Sequence, residues 1–323
     1  MQLKLDTDSY AMLSNYGEGN YTNVKEFILL GLPHAKEFAI PLFVLFSSIY
    51  MCTVVWNLLI LIIIWRDPQL HTPMYFFLFN LALIDIWLSS VTVPKMAANL
   101  LEERKVISFS GCVAQLYFYH FLASTECYLY TVMAYDRYAA ICHPLHYTKI
   151  MNKRFCLQMA AGTWLTGFIH SLIHTILTFR LPYCRSNLIQ YFFCDIPPIL
   201  KLACSSTYLN EVVITIDIGI VCITCFLLIL VSYGHIILAI LKISTAEGRR
   251  RTFSTCVSHI TVVILLLGPV SVIYARPQTV QSMDGAFGVF NSMAPPMLNP
   301  IIYTLRNKEV KSAIKKLRSR NVT

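Results

Sequence analysis

The stretch Met133-Ala134-Tyr135-Asp136-Arg137-Tyr138-Ala139-Ala140-Ile141-Cys142-His143-Pro144-Leu145-His146-Tyr147 decides how this chain is read. It follows about two dozen mostly apolar residues that begin at Val113, so an acid and an arginine stand side by side where a membrane helix should meet the cytoplasm. That is a switch position, not a catalytic one.

Composition sets the same class. Of 323 residues, 56% are hydrophobic and 13% charged, which would leave a soluble protein with more apolar surface than it could bury. The solvent must be lipid. Runs long enough to span a bilayer, at roughly 20 residues each, lie at Pro41 to Trp65, Met74 to Leu100, Val113 to Ile141, Leu157 to Phe179, Val212 to Leu241, Cys256 to Tyr274 and Ala286 to Leu305. The expected fold is an all-α membrane protein, a seven-transmembrane helix bundle. Residues 1–40 form an outer N-terminal segment, 41–305 the bundle and 306–323 a short basic tail. No internal repeat, low-complexity tract or second domain interrupts this plan.

Seven spans put the termini on opposite sides. With Met1 outside, the inner segments hold 16 of the 26 lysines and arginines, so the positive-inside rule predicts an extracellular N-terminus and a cytoplasmic C-terminus. The net charge of +9 then reads as basicity facing the cytoplasmic membrane surface; no single basic patch points to nucleic acid. The first forty residues lack a signal-peptide pattern, leaving the first span as the insertion signal. Asn20-Tyr21-Thr22 is a glycan acceptor sequon on the outer side; Asn321-Val322-Thr323 matches the pattern but falls in the inner tail.

Eleven cysteines sort by depth. Cys112, Cys184, Cys194 and Cys204 lie on the outer, oxidising side, where four thiols allow three connectivities. Cys52, Cys127, Cys142, Cys156, Cys222, Cys225 and Cys256 are intramembrane or cytoplasmic and read as small buried hydrophobes.

Polar groups inside spans cost free energy unless they face the bundle interior, so function is sought there. Asp85 and Glu126 have no obvious basic partner at their depth. Either they share a proton or they coordinate a cation, with Asn57 and Asn299 as neutral oxygen donors. His170 and His174 share a helix face at metal-ligand spacing, but no carboxylate or third histidine stands beside them in sequence. Interhelical hydrogen bonds are the better reading. Asp217 sits among Val213, Ile214, Ile216, Ile218 and Ile220, so it should turn into the bundle toward His120, Tyr274 or a ligand; the alternatives are an acid held by another helix or one snorkelling outward.

Further motifs share one pattern with the opening stretch. His71-Thr72-Pro73-Met74-Tyr75-Phe76-Phe77-Leu78 opens the second span, and Ile107-Ser108-Phe109 precedes Cys112. Ser232-Tyr233 lies in the fifth, Thr252-Phe253-Ser254-Thr255-Cys256-Val257-Ser258-His259 opens the sixth, and Pro296-Met297-Leu298-Asn299-Pro300-Ile301-Ile302-Tyr303 closes the seventh. Together they resemble the odorant (olfactory) receptors, a branch of the rhodopsin-like G-protein-coupled receptors, over nearly the whole chain from Phe27. Departures are Trp56 for the usual glycine, Leu266-Leu267-Gly268 for Phe-Tyr-Gly, and Arg251-Thr252 for Lys-Ala. Leu267 has no phenol with which to hydrogen-bond at a pocket floor.

The resemblance implies disulfides Cys112 to Cys194 and Cys184 to Cys204. It would gather Asp85, Glu126 and Asn299 at mid-membrane, as in a receptor sodium site; no other cofactor is implied. Asp136, Arg137, Tyr138, Tyr233, Asn299, Pro300 and Tyr303 would carry activation, Arg137 pairing with Asp136 at rest and swinging toward Tyr233 and Tyr303 when active. Arg249 to Arg251 would face the G protein and anionic lipid. A small odorant would bind among the outer halves of the third, fifth and sixth spans. Counting helical turns brings Leu116, Tyr119, His120, Ala123 and Ser124 toward Asp217 and Val221, with Val270 and Tyr274 closing a mostly apolar cavity. A stimulatory, olfactory-type G protein raising cyclic AMP, and the plasma membrane of olfactory cilia, follow from the family.

Rival classes fare worse. No phosphate loop or nucleophile with a base supports an enzyme. A transporter would show repeat symmetry and broken helices in matching halves. An amine receptor would carry an acid where the third span has Tyr119.

Overall fold

A computed structural model describes residues 24–31, 38–183, 186–242, 282–305 and 309–314, with isolated positions 247, 249, 257, 260, 261, 263, 264 and 268. Six of the seven expected spans are long helices: Ala39–Arg66, Pro73–Leu101, Phe109–Cys142, Lys153–Phe179, Tyr208–Leu241 and Ser282–Leu305, the last being the seventh span. The described positions of the sixth, from Val257 to Gly268, are helical.

Several helices outrun their apolar runs because polar caps extend them. The Ser108 hydroxyl accepts from Gly111 N at 3.1 Å and starts the third helix four residues before Val113. The Asn152 carbonyl takes Phe155 N at 3.0 Å, starting the fourth at Lys153. The fifth starts at Tyr208 without a side-chain cap; there the Thr207 hydroxyl donates to the Glu211 carboxylate at 2.6 Å across the first turn.

Apolar side chains line the exposed helix faces, and polar ones lie among the buried residues. Ile216, Ile220, Ile223, Leu227 and Val231 are exposed on the fifth helix, while Asp85, Glu126, Asn57 and Asn299 are buried. An apolar exterior of that extent suits acyl chains. By length and apolarity the first, second and fifth helices are each fit to cross a bilayer.

Close approach of the third and fourth helices depends on one missing side chain. A Cβ on Gly167 would collide with the Thr125 hydroxyl and come within 2.9 Å of Phe121 O. Ser171 uses the same proximity to donate to Tyr117 O at 2.5 Å.

The end of the bundle beside Cys112 carries a small sheet that the helical reading of the sequence did not contain. Strand β1 (Glu26–Leu29) lies between β2 (Val106–Ser108), antiparallel with Phe27 opposite Ile107, and β3 (Leu188–Ile189), parallel. Such short strands fall below what sequence periodicity can reveal. The fully buried Phe27 ring anchors the sheet against Phe109 and Tyr183, with centroids 5.9 and 6.0 Å away. Gly31 ends β1 at φ 68°, a left-handed turn that lets its N–H reach Tyr191 O at 3.0 Å. Burial in this region pushes the Lys105 pKa down and the Tyr183 pKa up.

Below the sheet Cys112 and Cys194 are joined, their Cα atoms 5.5 Å apart. Cys204 is also disulfide-bonded; Cys184, its expected partner, lies outside the described residues. Tyr183 pairs with Ala203, and Cys204 N donates to Pro182 O at 2.9 Å, closing the neck of this loop.

Because the Cys112–Cys194 bridge spans 82 residues, its loss should release chain entropy worth about 4.5 kcal/mol. Cys112→Ser is therefore expected to be retained in the endoplasmic reticulum, read by surface immunostaining. Normal surface density, or mass spectrometry pairing Cys112 with Cys184, would contradict this account.

Candidate functional site

Helical spacing places Glu126 and Tyr130 on one face of the third helix, four residues apart, and packing brings them against the second and seventh. Asn299 Nδ2 lies 3.0 and 3.2 Å from the two Asp85 carboxyl oxygens and 3.4 Å from Glu126 Oε1. The Tyr130 hydroxyl is 2.9 Å from both Glu126 Oε1 and Asn299 Oδ1. All four residues are buried.

One amide therefore serves two acids, and Glu126 Oε2 has no hydrogen-bond partner among the described residues. Two carboxylates so close in a dry core cannot both ionise unaided; a shared proton or a cation must compensate. The donors fit a hard cation by chemistry. As placed, however, the amide nitrogen of Asn299 faces the acids, so its oxygen could join a cation shell only if the amide turned over. Asn57 stands apart from this group, its amide donating to Thr53 O at 2.9 Å and Pro296 O at 3.1 Å. Tyr130 escaped the sequence reading, although its spacing from Glu126 was visible.

Nearer the sheet, the loop after the fourth helix is seated on the third. The Gln115 side chain donates to Val91 O and accepts from Cys194 N, both at 2.9 Å, beside the disulfide. His120 Nε2 lies 3.0 Å from Asp195 Oδ1, and the Tyr119 and Phe193 rings are 4.9 Å apart. Leu116, Tyr119, His120 and Ser124 are buried there, and Ala123 is half-buried. Asp195 was missed, though its place directly after a bridged cysteine was a signal.

Asp217 does not join that group through His120. Its Oδ2 is 2.8 Å from both His170 Nδ1 and His174 Nε2, so the fourth helix holds it. Val221, one turn further along, lines a cavity of about 470 Å³ with Tyr128, Thr131, Thr163, Thr224 and Cys225. Val270 and Tyr274 lie outside the described residues, as does Asn20.

At the opposite end Asp136 is buried and accepts from the Tyr147 hydroxyl at 2.8 Å. The expected resting pair with Arg137 is not formed: no ion pair joins them among the described residues, and the guanidinium reaches Met74 Sδ instead. Adjacent residues on a helix point about 100° apart, so Asp136 turns inward while Arg137 turns toward the second span. Tyr138 meets His143 Nε2 at 3.1 Å, and its ring lies tilted against that of His235, centroids 5.8 Å apart. Tyr233 and Pro300 are buried, and the Tyr303 side chain is outside the described set.

A sequence model of the olfactory receptor family matches residues 46–321. The chain belongs to the olfactory receptor family. It is 55% identical to human olfactory receptor 10G4 over 302 residues, covering 93% of this chain and 97% of that protein. Human olfactory receptor 10G7 is 55% identical over 304 residues, covering 94% and 98%, and human olfactory receptor 10G2 is 53% identical over 295, covering 91% and 95%. The protein is thus a multi-pass membrane receptor for odorants with a seven-helix bundle, acting through a G protein.

If the receptor's buried acids share a proton or a cation, Glu126→Gln should change basal signalling and flatten its response to sodium or pH. A sodium titration and a pH titration of basal activity, both superimposable on those of the parent, would leave plain structural carboxyls.

Proposed function

We infer that the receptor binds a small organic odorant in the outer half of its bundle and promotes GDP release from a stimulatory, olfactory-type G protein, raising cyclic AMP. The observation that carries this reading is the seating of the loop on the third helix. A disulfide, the Gln115 bridge and the His120–Asp195 contact fix Tyr119 and His120 beside Leu116 and Phe193, a mostly apolar site with few polar fixers. Ala123 and Ser124 continue that face inward, with Val270 and Tyr274 of the sixth span as further contacts. Asp217 and Val221 of the fifth helix would be further contacts. In this reading the sheet faces the extracellular space, Asn20 carries a glycan, and Arg137 faces the cytoplasm at the ciliary plasma membrane.

Signalling would pass through the cluster of Asp85, Glu126, Tyr130 and Asn299, because it ties the second, third and seventh helices at one point. Movement of the seventh helix through Asn299 and Pro300 changes what the acids bind. At the inner end Arg137, which forms no ion pair with Asp136 among the described residues, would engage Tyr233 and Tyr303. Asp136, Tyr138 and Tyr147 hold the third helix against the adjoining loop meanwhile.

Arg137→Ala should abolish odorant-evoked cyclic AMP while surface protein remains detectable by flow cytometry. Undiminished signalling from a well-expressed Arg137→Ala receptor would remove the arginine from coupling.

A further inference from the structure

His170 and His174 satisfy the spacing for two metal ligands on one helix face, and the fold supplies the third that the sequence lacked. Helix rise places His170 about 14 Å and His174 about 8 Å from the end of the fourth helix. Asp217 lies about 14 Å from the start of the fifth, at matching depth. The ring centroids are 4.7 Å apart, and Asp217 Oδ2 is 2.8 Å from a nitrogen of each. The three donor atoms all lie within 4.8 Å of one another.

We propose that His170 Nδ1, His174 Nε2 and an Asp217 carboxylate oxygen form a binding site for a divalent d-block cation, zinc being the fitting case, clamping the fourth helix to the fifth. Two imidazoles and one carboxylate are a donor set of borderline softness, which suits zinc or copper and disfavours calcium and magnesium. Zn–N and Zn–O bonds of about 2.1 Å place tetrahedral ligand atoms about 3.4 Å apart, so each 2.8 Å contact has to open by only about half an ångström. The histidines are largely buried, and the Asp217 side chain is 38% exposed, leaving one side of the group open to a fourth ligand. The ion takes the place of any ring N–H directed at Oδ2, neutral imidazoles presenting those nitrogens as ligands, and leaves the same three groups mutually compensated.

The site differs from the Asp85–Glu126 cluster in both place and donor chemistry, and it stands whether or not the odorant binds where inferred above. The test is zinc binding by the full-length receptor in lipid nanodiscs, titrated against a fluorescent chelator. The parent should bind one zinc ion in a class of sites that His170→Ala, His174→Ala and Asp217→Asn each weaken at least about tenfold, while His170→Cys retains it. Absence of saturable zinc binding in the parent, or equal binding in the alanine and asparagine variants, would overturn the proposal. Should those variants fail to fold, cobalt loading of the His170→Cys receptor decides: a thiolate-to-cobalt charge-transfer band supports the site, and a spectrum without one overturns it.

Discussion

A bilayer interior holds no water to satisfy a polar group, and the arrangement of this receptor follows from that constraint. Backbone groups are satisfied by helices. Side chains must find partners across helices, and each partnership fixes where two spans meet. Asn299 joins the seventh helix to the second and third through two acids. Asn57 joins the first to the seventh through Pro296 O, and Trp164 joins the fourth to the second through Asn80 at 3.0 Å. Asp217 joins the fifth to the fourth. Apolar contacts distinguish poorly between neighbouring helices in lipid, so these polar contacts specify the bundle.

The same constraint explains why polar partnerships carry function. A buried acid with incomplete compensation changes its interactions when a helix moves by an ångström, whereas an aliphatic contact hardly changes. The Asp85, Glu126, Tyr130 and Asn299 cluster lies between the loop-covered end and Arg137, so it is placed to relate one to the other. Its two acids and one amide admit more than one proton or ion arrangement, which a switch requires.

Much of this was legible before any coordinates. Hydropathy located six of the described helices to within a few residues, missing among others the turns that Ser108 and Asn152 add, since capping is a polar signal outside an apolar run. That Asp85 and Glu126 would meet Asn299 followed from the family resemblance; that they needed compensation was legible because charge in lipid demands a partner. The small sheet was not, because strands of two to four residues have no period to detect. Nor was the choice Asp217 makes between His120 and the histidines of the fourth helix. That depends on helix rotation, and an acid with isoleucines on several sides does not declare its face. The pairing of Arg137 with Asp136 was implied by the resemblance, whereas here the acid takes the Tyr147 hydroxyl.

Coupling between the two ends is the central claim, and nucleotide exchange reports it most directly. Purified receptor in nanodiscs, mixed with a stimulatory heterotrimer loaded with fluorescent GDP, would be challenged with an odorant shown to bind it. Faster GDP release, saturating over the same odorant concentrations as binding, is the predicted result. Saturable odorant binding with an unchanged release rate would contradict the account.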